Sequence, residues 1–129
     1  MARGPADLDP ADLAFLAERH LATLTTLRPD GSPHVVAVGF SYDHADEVAR
    51  VITFADSRKA RHAVIGGRAA VCQVDGRRWL TLEGAVRLVT DAEGVAVAVA
   101  AYAARYRPPK ERTDRVVVEI AVDRVLGHG

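Results

Sequence analysis

The feature that most constrains the fold of this chain is a series of six β-strand patterns, several of them separated by short turns. Arg28-Pro29-Asp30-Gly31-Ser32 and Asp75-Gly76 are strong turn signals, and each lies between two runs of strand-forming residues. Such short connections join antiparallel strands, because parallel neighbours need a crossover of a dozen or more residues. The sequence therefore predicts a mainly β chain built as a closed or split barrel. The predicted strands cover residues 21–27, 34–42, 48–54, 69–74, 78–89 and 116–122.

A few helices are predicted between these strands. Asp9-Pro10 provides an N-cap followed by proline, which favours a short helix over residues 10–19. Ser57 begins a second helix from Arg58 to Ile65. Residues 91–106 favour a third helix, although alternating valines also fit a strand there. Residues 1–9 are expected to form a flexible tail and residues 10–129 a single domain.

Composition excludes several classes of protein. The 129 residues include 17 Lys and Arg against 17 Asp and Glu, so no overall charge favours nucleic acid or an anionic membrane. No apolar run approaches the length of a membrane span, and no signal peptide is evident. Cys72 is the one cysteine, which favours a reducing compartment such as the cytoplasm.

The usual signatures of metal-dependent, nucleophilic and nucleotide-dependent catalysis are missing from the sequence. The five histidines have no metal-ligand spacing, so we predict no metal site. There is no nucleophile elbow, phosphate-binding P-loop or Rossmann glycine pattern. These absences indicate that a bound cofactor carries the chemistry, and no residue is identified as catalytic.

The strongest binding signal is the basic start of the second helix. Ser57-Arg58-Lys59 places two cations where backbone amides and the helix dipole already favour an anion. Taken alone, this segment fits a solvated basic helix surface at least as well as it fits a phosphate site. Thr53 ends the preceding strand close to it, which makes a phosphate site the better interpretation.

Three segments, in order, resemble the pyridoxamine-phosphate-oxidase-like split β-barrel superfamily of flavin and deazaflavin oxidoreductases. The first is Ser32-Pro33-His34-Val35-Val36, which is similar to the strand that lines the cofactor ring. The second runs from Ile52 and Thr53 to Ser57-Arg58-Lys59. The third is Arg78-Trp79-Leu80-Thr81-Leu82-Glu83-Gly84. The resemblance covers residues 10–126 and implies a six-stranded antiparallel split β-barrel that forms a homodimer with cofactor sites at the subunit interface.

Within that superfamily the sequence is most similar to the branch of coenzyme F420-dependent biliverdin reductases. The resemblance implies hydride transfer from reduced coenzyme F420 to a tetrapyrrole such as biliverdin. It also implies a set of cofactor-binding residues. These are Pro33, His34, Val35, Val36, Ala37, Ile52, Thr53, Ser57, Arg58, Lys59 and Trp79. Arg61 and Arg50 are further candidates for contacts with the anionic coenzyme.

Two other functions stay open from the sequence. The same fold could bind FMN and act as an oxidase or flavin reductase, although the cofactor strand lacks the arginine usual in those oxidases. A carrier that holds a cofactor or tetrapyrrole without turnover is the non-enzymatic alternative. Nucleic-acid binding is the weakest of the classes considered, because the basic residues form one cluster on a neutral chain.

Overall fold

The computed structural model describes residues 3–129 and contains one antiparallel sheet of seven strands. The strand order is β2-β1-β5-β6-β7-β4-β3, and every neighbouring pair is antiparallel. The strands are β1 (Ala22–Leu27), β2 (Pro33–Val38), β3 (Ser41–Asp43), β4 (Val48–Phe54), β5 (Arg68–Asp75), β6 (Arg78–Val89) and β7 (Arg115–His128). Within residues 3–129 no backbone ladder joins the two outer strands, β2 and β3, so the sheet is not closed.

The prediction of six strands was wrong, because the structure has two separate strands where the second strand was predicted. Residues 34–42 divide at Gly39 and Phe40 into β2 and β3. A Cβ atom on Gly39 would lie 3.0 Å from Tyr102 and 3.1 Å from Tyr106, so the backbone here passes directly against two aromatic rings. This packing against α3 (Ala92–Arg105) turns the chain away from β1 and towards β4.

The three predicted helices are present. They are α1 (Pro10–Ala17), α2 (Arg58–Ile65) and α3 (Ala92–Arg105), each with an N-cap side chain that accepts a backbone hydrogen bond. The caps are Asp9, Ser57 and Asp91, in agreement with the local signals in the sequence. No helix in residues 3–129 is long and apolar enough to cross a membrane.

The start of the chain is attached to the sheet along the part that the structure describes. Arg3 forms an isolated bridge with Val125, residues 5–7 form a 3-10 helix, and Leu8 is buried in the core. The Arg3 guanidinium also pairs with the buried Asp12 carboxylate at 2.7 Å. Positions 1 and 2 of the predicted flexible tail lie outside the described residues, whereas residues 3–8 are anchored by these contacts.

The hydrophobic core fills the inner side of the sheet beneath the helices. Its largest fully buried side chains include Phe15 from α1, Phe40, and Leu24, Leu80 and Ile120 from the strands. Inner and outer residues alternate along β1 and β2, as expected when one face of a strand is buried. The core thus fixes which side chains of these two strands point inward and which face solvent.

Candidate functional site

The start of α2 is organised by two buried hydroxyls. The Thr53 hydroxyl donates to Ser57 Oγ at 2.9 Å, and Ser57 Oγ in turn accepts from the backbone amide of Ala60 at 3.2 Å. Both residues are almost completely buried. Thr53 and Ser57 therefore fix the helix start, and the cations Arg58 and Lys59 follow on its first turn.

The main cleft of the molecule, about 620 Å³ in volume, lies beside this helix start. Its wall includes Ala37 at the end of β2, Ile52 on β4 and Lys59 on α2, all three predicted from the sequence. Tyr102 on α3 also lines it, together with residues from the segment that connects α3 to β7. Three predicted residues from three different elements therefore converge on one cavity.

The charge of this main cleft is strongly positive. The five cationic side chains that line it are Lys59, Arg107, Lys110, Arg112 and Arg115, and no Asp or Glu of residues 3–129 joins them in the lining. Arg112 is partly neutralised, because it pairs with Asp114 at 2.8 Å. Burial lowers the pKa of Lys59, so its charged form is poorly solvated and gains from an anion. The cleft is suited to a ligand with several negative charges.

Four of those five cations were not predicted as site residues. They belong to the segment of residues 107–115, which connects α3 to the start of β7. Arg115 donates to the carbonyl of Lys110 at 2.5 Å and so helps to hold this segment in a defined path. Four basic residues among the nine of this segment indicate a possible anion-binding surface. The fold is needed to show that they line the same cleft as Lys59.

His34 points away from the main cleft and towards α2. Its ring meets that of His62 edge-on at 5.1 Å, and His62 Nδ1 lies 2.8 Å from the Thr26 hydroxyl. The Nδ1 atom of His34 is buried and has no hydrogen-bond partner within residues 3–129. Burial first, then the neighbouring positive groups, lowers the pKa of both histidines. In this structure His34 is part of the packing beneath α2.

The other predicted residues of β2 divide between two faces. Pro33, Val35 and Ala37 point outward and are exposed, whereas Val36 packs against the core. Their outward face continues across β1, β5 and β6, where Ala37, Thr23, Cys72 and Thr81 stand in one row. We call this surface the outer sheet face. Its uncharged members are Thr23, Thr25, Leu27, Pro33, Val35, Ala37, Cys72, Val74, Trp79 and Thr81.

Trp79 lies on that outer sheet face and does not line the main cleft. It begins β6, pairs with Val74 on one side and His128 on the other, and is 41% exposed. Ile52, which does line the cleft, pairs with Val117 near the opposite end of β7. Within one copy of the chain Trp79 therefore shares the outer sheet face with Pro33, Val35 and Ala37 but is separate from Ile52 and Lys59 in the main cleft.

Arg50 and Arg61 also lie outside the main cleft. Arg50 is largely buried between carboxylates, 3.1 Å from Asp43 and 3.3 Å from Glu119. Arg61 is exposed on the outside of α2 and approaches Asp56 at 3.9 Å. Neither cation is available to the main cleft in this arrangement.

Among residues 3–129, one group of possible metal ligands is present, formed by Glu18, His20 and Asp75, with ligand atoms within 4.8 Å of one another. Arg78 lies between the two carboxylates and binds both of them, with a distance of 2.6 Å to Glu18. Its hydrogen bonds, followed by that of His20, lower the pKa of Glu18 to about 2. The arginine thus already supplies the positive charge that a cation would bring, and the prediction of no metal site stays a prediction.

Comparison with known proteins gives a consistent set of similarities. A family model described as pyridoxamine 5′-phosphate oxidase matches residues 8–129. The sequence is 55% identical over 115 residues to an F420H(2)-dependent biliverdin reductase of Mycobacterium tuberculosis, covering 89% of this chain and 84% of that protein.

Solved structures share the fold over nearly the whole chain. A structure described as an F420 reductase is 26% identical with a TM-score of 0.74, covering 92% of this chain and 98% of that one. A haem storage protein of Vibrio cholerae superposes with a TM-score of 0.77 over 95% of each chain, at 18% identity. At that lower identity the likeness concerns the fold alone.

Proposed function

The chain belongs to the pyridoxamine 5′-phosphate oxidase family, and we propose on that premise that it is a reductase that uses reduced coenzyme F420 to reduce a tetrapyrrole such as biliverdin. The biliverdin reductase that is 55% identical to it supports the reaction, and the F420 reductase of the same fold supports the coenzyme. The observation within the structure that carries the proposal is the main cleft with five cations.

The donor set of the main cleft fits coenzyme F420. This coenzyme carries a phosphate and a tail of glutamates, and so brings more negative charge than FMN does. Lys59, with Arg58 beside it at the capped start of α2, binds the phosphate. The basic segment 107–115 faces the remaining negative charge.

Apolar residues of the cleft position the ring. Ala37 and Ile52 form a flat wall without charged atoms, and Pro33 and Val35 continue the exposed surface of β2. When bound, the reduced coenzyme supplies a hydride, and solvent delivers the proton that completes the reduction. The residues of this chain orient the ring and exclude water from its face.

Self-association is part of the same proposal. The outer sheet face exposes Val35, Val74 and Trp79 and stretches across four strands, with Arg68 and Glu83 as charged members towards one end. A surface of this kind is typical of an interface between copies of a chain. The predicted cytoplasmic location belongs to the proposal as well, since it suits the single unpaired Cys72.

Turnover provides the test of the proposed reaction. Purified protein is mixed with chemically reduced coenzyme F420 and biliverdin, and oxidation of the coenzyme is followed together with loss of biliverdin. We expect equal amounts of coenzyme oxidised and biliverdin reduced. Binding of both compounds without turnover would contradict the reaction and favour a carrier.

A further inference from the structure

A second cleft, about 420 Å³ in volume, adjoins the main cleft and lies outside the proposed coenzyme site. It is lined by Arg19, His20 and Leu21, which lie between α1 and β1, and by Tyr102, Tyr106 and Arg107 at the end of α3. Tyr102 and Arg107 line both clefts. The two cavities therefore meet at these residues.

Two arginines of the second cleft have no acidic partner. Arg19 and Arg107 are exposed, and neither forms a salt bridge within residues 3–129. Arg105, two residues before Arg107, is by contrast fully engaged, because it donates to the carbonyls of Glu18 and Phe40 and to Gln73. Arg105 holds α3 in place, whereas the guanidinium groups of Arg19 and Arg107 remain available to a ligand.

The carboxylates that approach His20 are already neutralised. Glu18 lies 3.0 Å and Asp75 3.7 Å from His20, and both carboxylates bind Arg78. A ligand carboxylate at Arg19 and Arg107 would therefore not meet an uncompensated negative charge from these groups.

The aromatic wall of the second cleft is rigid. The rings of Tyr102 and Tyr106 lie 4.9 Å apart, and the Tyr106 hydroxyl donates to the carbonyl of His20 at 2.6 Å. The same hydroxyl accepts from the backbone amide of Phe40 at 3.3 Å. A flat, conjugated molecule can lie against such a wall while its acidic groups reach the arginines.

We propose that the second cleft binds the carboxylates of the hydride acceptor through Arg19 and Arg107, with the conjugated part of the acceptor against Tyr102. The identity of that acceptor rests on the proposed function. A linear tetrapyrrole fits these requirements, because it is a flat conjugated molecule with two propionate carboxylates. Tyr102 then stands between the two sites, with the coenzyme in the main cleft and the acceptor next to it.

The test compares biliverdin with biliverdin dimethyl ester, which lacks the two negative charges. Each compound is titrated into the protein with oxidised coenzyme F420 present, and binding is followed by the absorbance of the tetrapyrrole. We expect Arg19→Ala and Arg107→Ala each to weaken biliverdin binding about tenfold or more, because each removes a charge-assisted bond. Binding of the diester is expected to change less than threefold.

Arg124→Ala is the matched control, since this arginine is exposed on β7 and lines neither cleft. Its biliverdin affinity should equal that of the unmodified protein. In turnover, the KM for biliverdin is expected to rise in the Arg19 variant while kcat stays within twofold, because Arg19 lines the second cleft and not the main one. Circular dichroism melting of each variant verifies that folding is intact.

Three results would overturn the inference: unchanged biliverdin affinity in both variants, an equal loss for biliverdin and its diester, or weaker binding of coenzyme F420 alone by Arg19→Ala, since Arg19 does not line the main cleft. Arginine-dependent binding of biliverdin by a protein that does not oxidise reduced F420 would uphold the carboxylate site and reject the proposed reaction. The two proposals thus fail in distinguishable ways.

Discussion

Lys59 is the residue on which the coenzyme site depends most. It comes from a capped helix start, lines the main cleft and is partly buried, so that its charge is incompletely solvated without an anion. The sequence predicts this much, because Ser57, Thr53 and the basic pair are local features.

Replacing Lys59 by alanine should therefore affect binding far more than folding. We expect Lys59→Ala to weaken coenzyme F420 binding by about tenfold to a hundredfold, which corresponds to one charge-assisted contact with phosphate. Thermal unfolding should shift by only a few degrees, because the lost cation was itself unfavourably buried. Coenzyme fluorescence measures the first quantity and circular dichroism the second.

Arg61 on the same helix provides the comparison. It is exposed and does not line the main cleft, so Arg61→Ala should change affinity less than threefold. Equal losses in the two variants would mean that α2 acts through its general positive charge and that no specific phosphate site exists at Lys59.

The direction of the His34 side chain could not be predicted from the local sequence. The similarity of its segment to a cofactor strand places it among the binding residues, but alternation along β2 turns its side chain inward, under α2. Which of two alternating residues faces the core is decided by contacts with distant elements, here Thr26 and His62.

At the scale of elements, the packing of α2 on the β1–β2 hairpin should depend on pH. His34 is partly buried and His62 is buried, and both lie near the cations Arg28 and Arg58, so burial first and then these charges lower the pKa of both below the ordinary value of 6.5. Protons then bind more readily to the unfolded chain than to the folded one. The free energy of unfolding therefore falls as the pH drops below 6.5.

We expect the free energy of unfolding to fall between about pH 7 and about pH 5.5, measured by urea denaturation. His34→Gln should flatten this dependence, whereas His44→Gln, on the exposed turn after β3, should not. A His34→Gln protein with the same pH profile as the unmodified one would show that this pair is not responsible.

The long β6–β7 ladder depends on a glycine. The register shifts between Glu83 and Gly84, and a Cβ atom on Gly84 would lie 1.7 Å from the carbonyl oxygen of Ala121. Backbone cannot yield as a side chain does, so Gly84→Ala should cost about 3 kcal/mol or more.

Gly4→Ala is the control for that substitution, because the nearest atom to its Cβ would be 3.8 Å away. It should stay within about 0.5 kcal/mol of the unmodified protein in the same denaturation experiment. Similar stability of the two variants would contradict the close approach of β6 and β7.

Helices with capping signals in the local sequence were predicted well. Strand boundaries that depend on contacts with distant residues were not. The caps of α1, α2 and α3 can be identified within a few residues of sequence. The break at Gly39 depends on Tyr102 and Tyr106, more than sixty residues away, and the extension of β7 to His128 depends on its partner β6. Neither dependence can be seen in a local window.

At the scale of the whole molecule, the outer sheet face should govern oligomeric state. Val35 is 56% exposed on β2, the edge strand of this face, and pairs with the uncharged Thr25 on β1. We expect the protein to sediment as a dimer and Val35→Glu to dissociate it, because burying an unpaired carboxylate opposes association. Sedimentation velocity distinguishes the two species.

Val64 on α2 is 70% exposed but lies off this face, so Val64→Glu should remain dimeric. A monomeric unmodified protein, or a Val35→Glu variant that stays dimeric, would contradict an interface at this surface.

The composition of the main cleft is also a property of the whole molecule. Ala37, Ile52 and Lys59 were predicted individually, but the four cations of residues 107–115 reach them only because α3 and β7 bring that segment across the cleft. Sequence similarity indicated a deazaflavin coenzyme, and the basic segment supplies a physical reason for preferring it to FMN.

Coenzyme choice is therefore the most direct test of the account. The protein is incubated with equimolar coenzyme F420 and FMN and examined by native mass spectrometry, which reads the mass of the bound species. We predict that coenzyme F420 occupies the protein and that FMN does not displace it. Preferential binding of FMN, or of neither compound, would contradict the central claim.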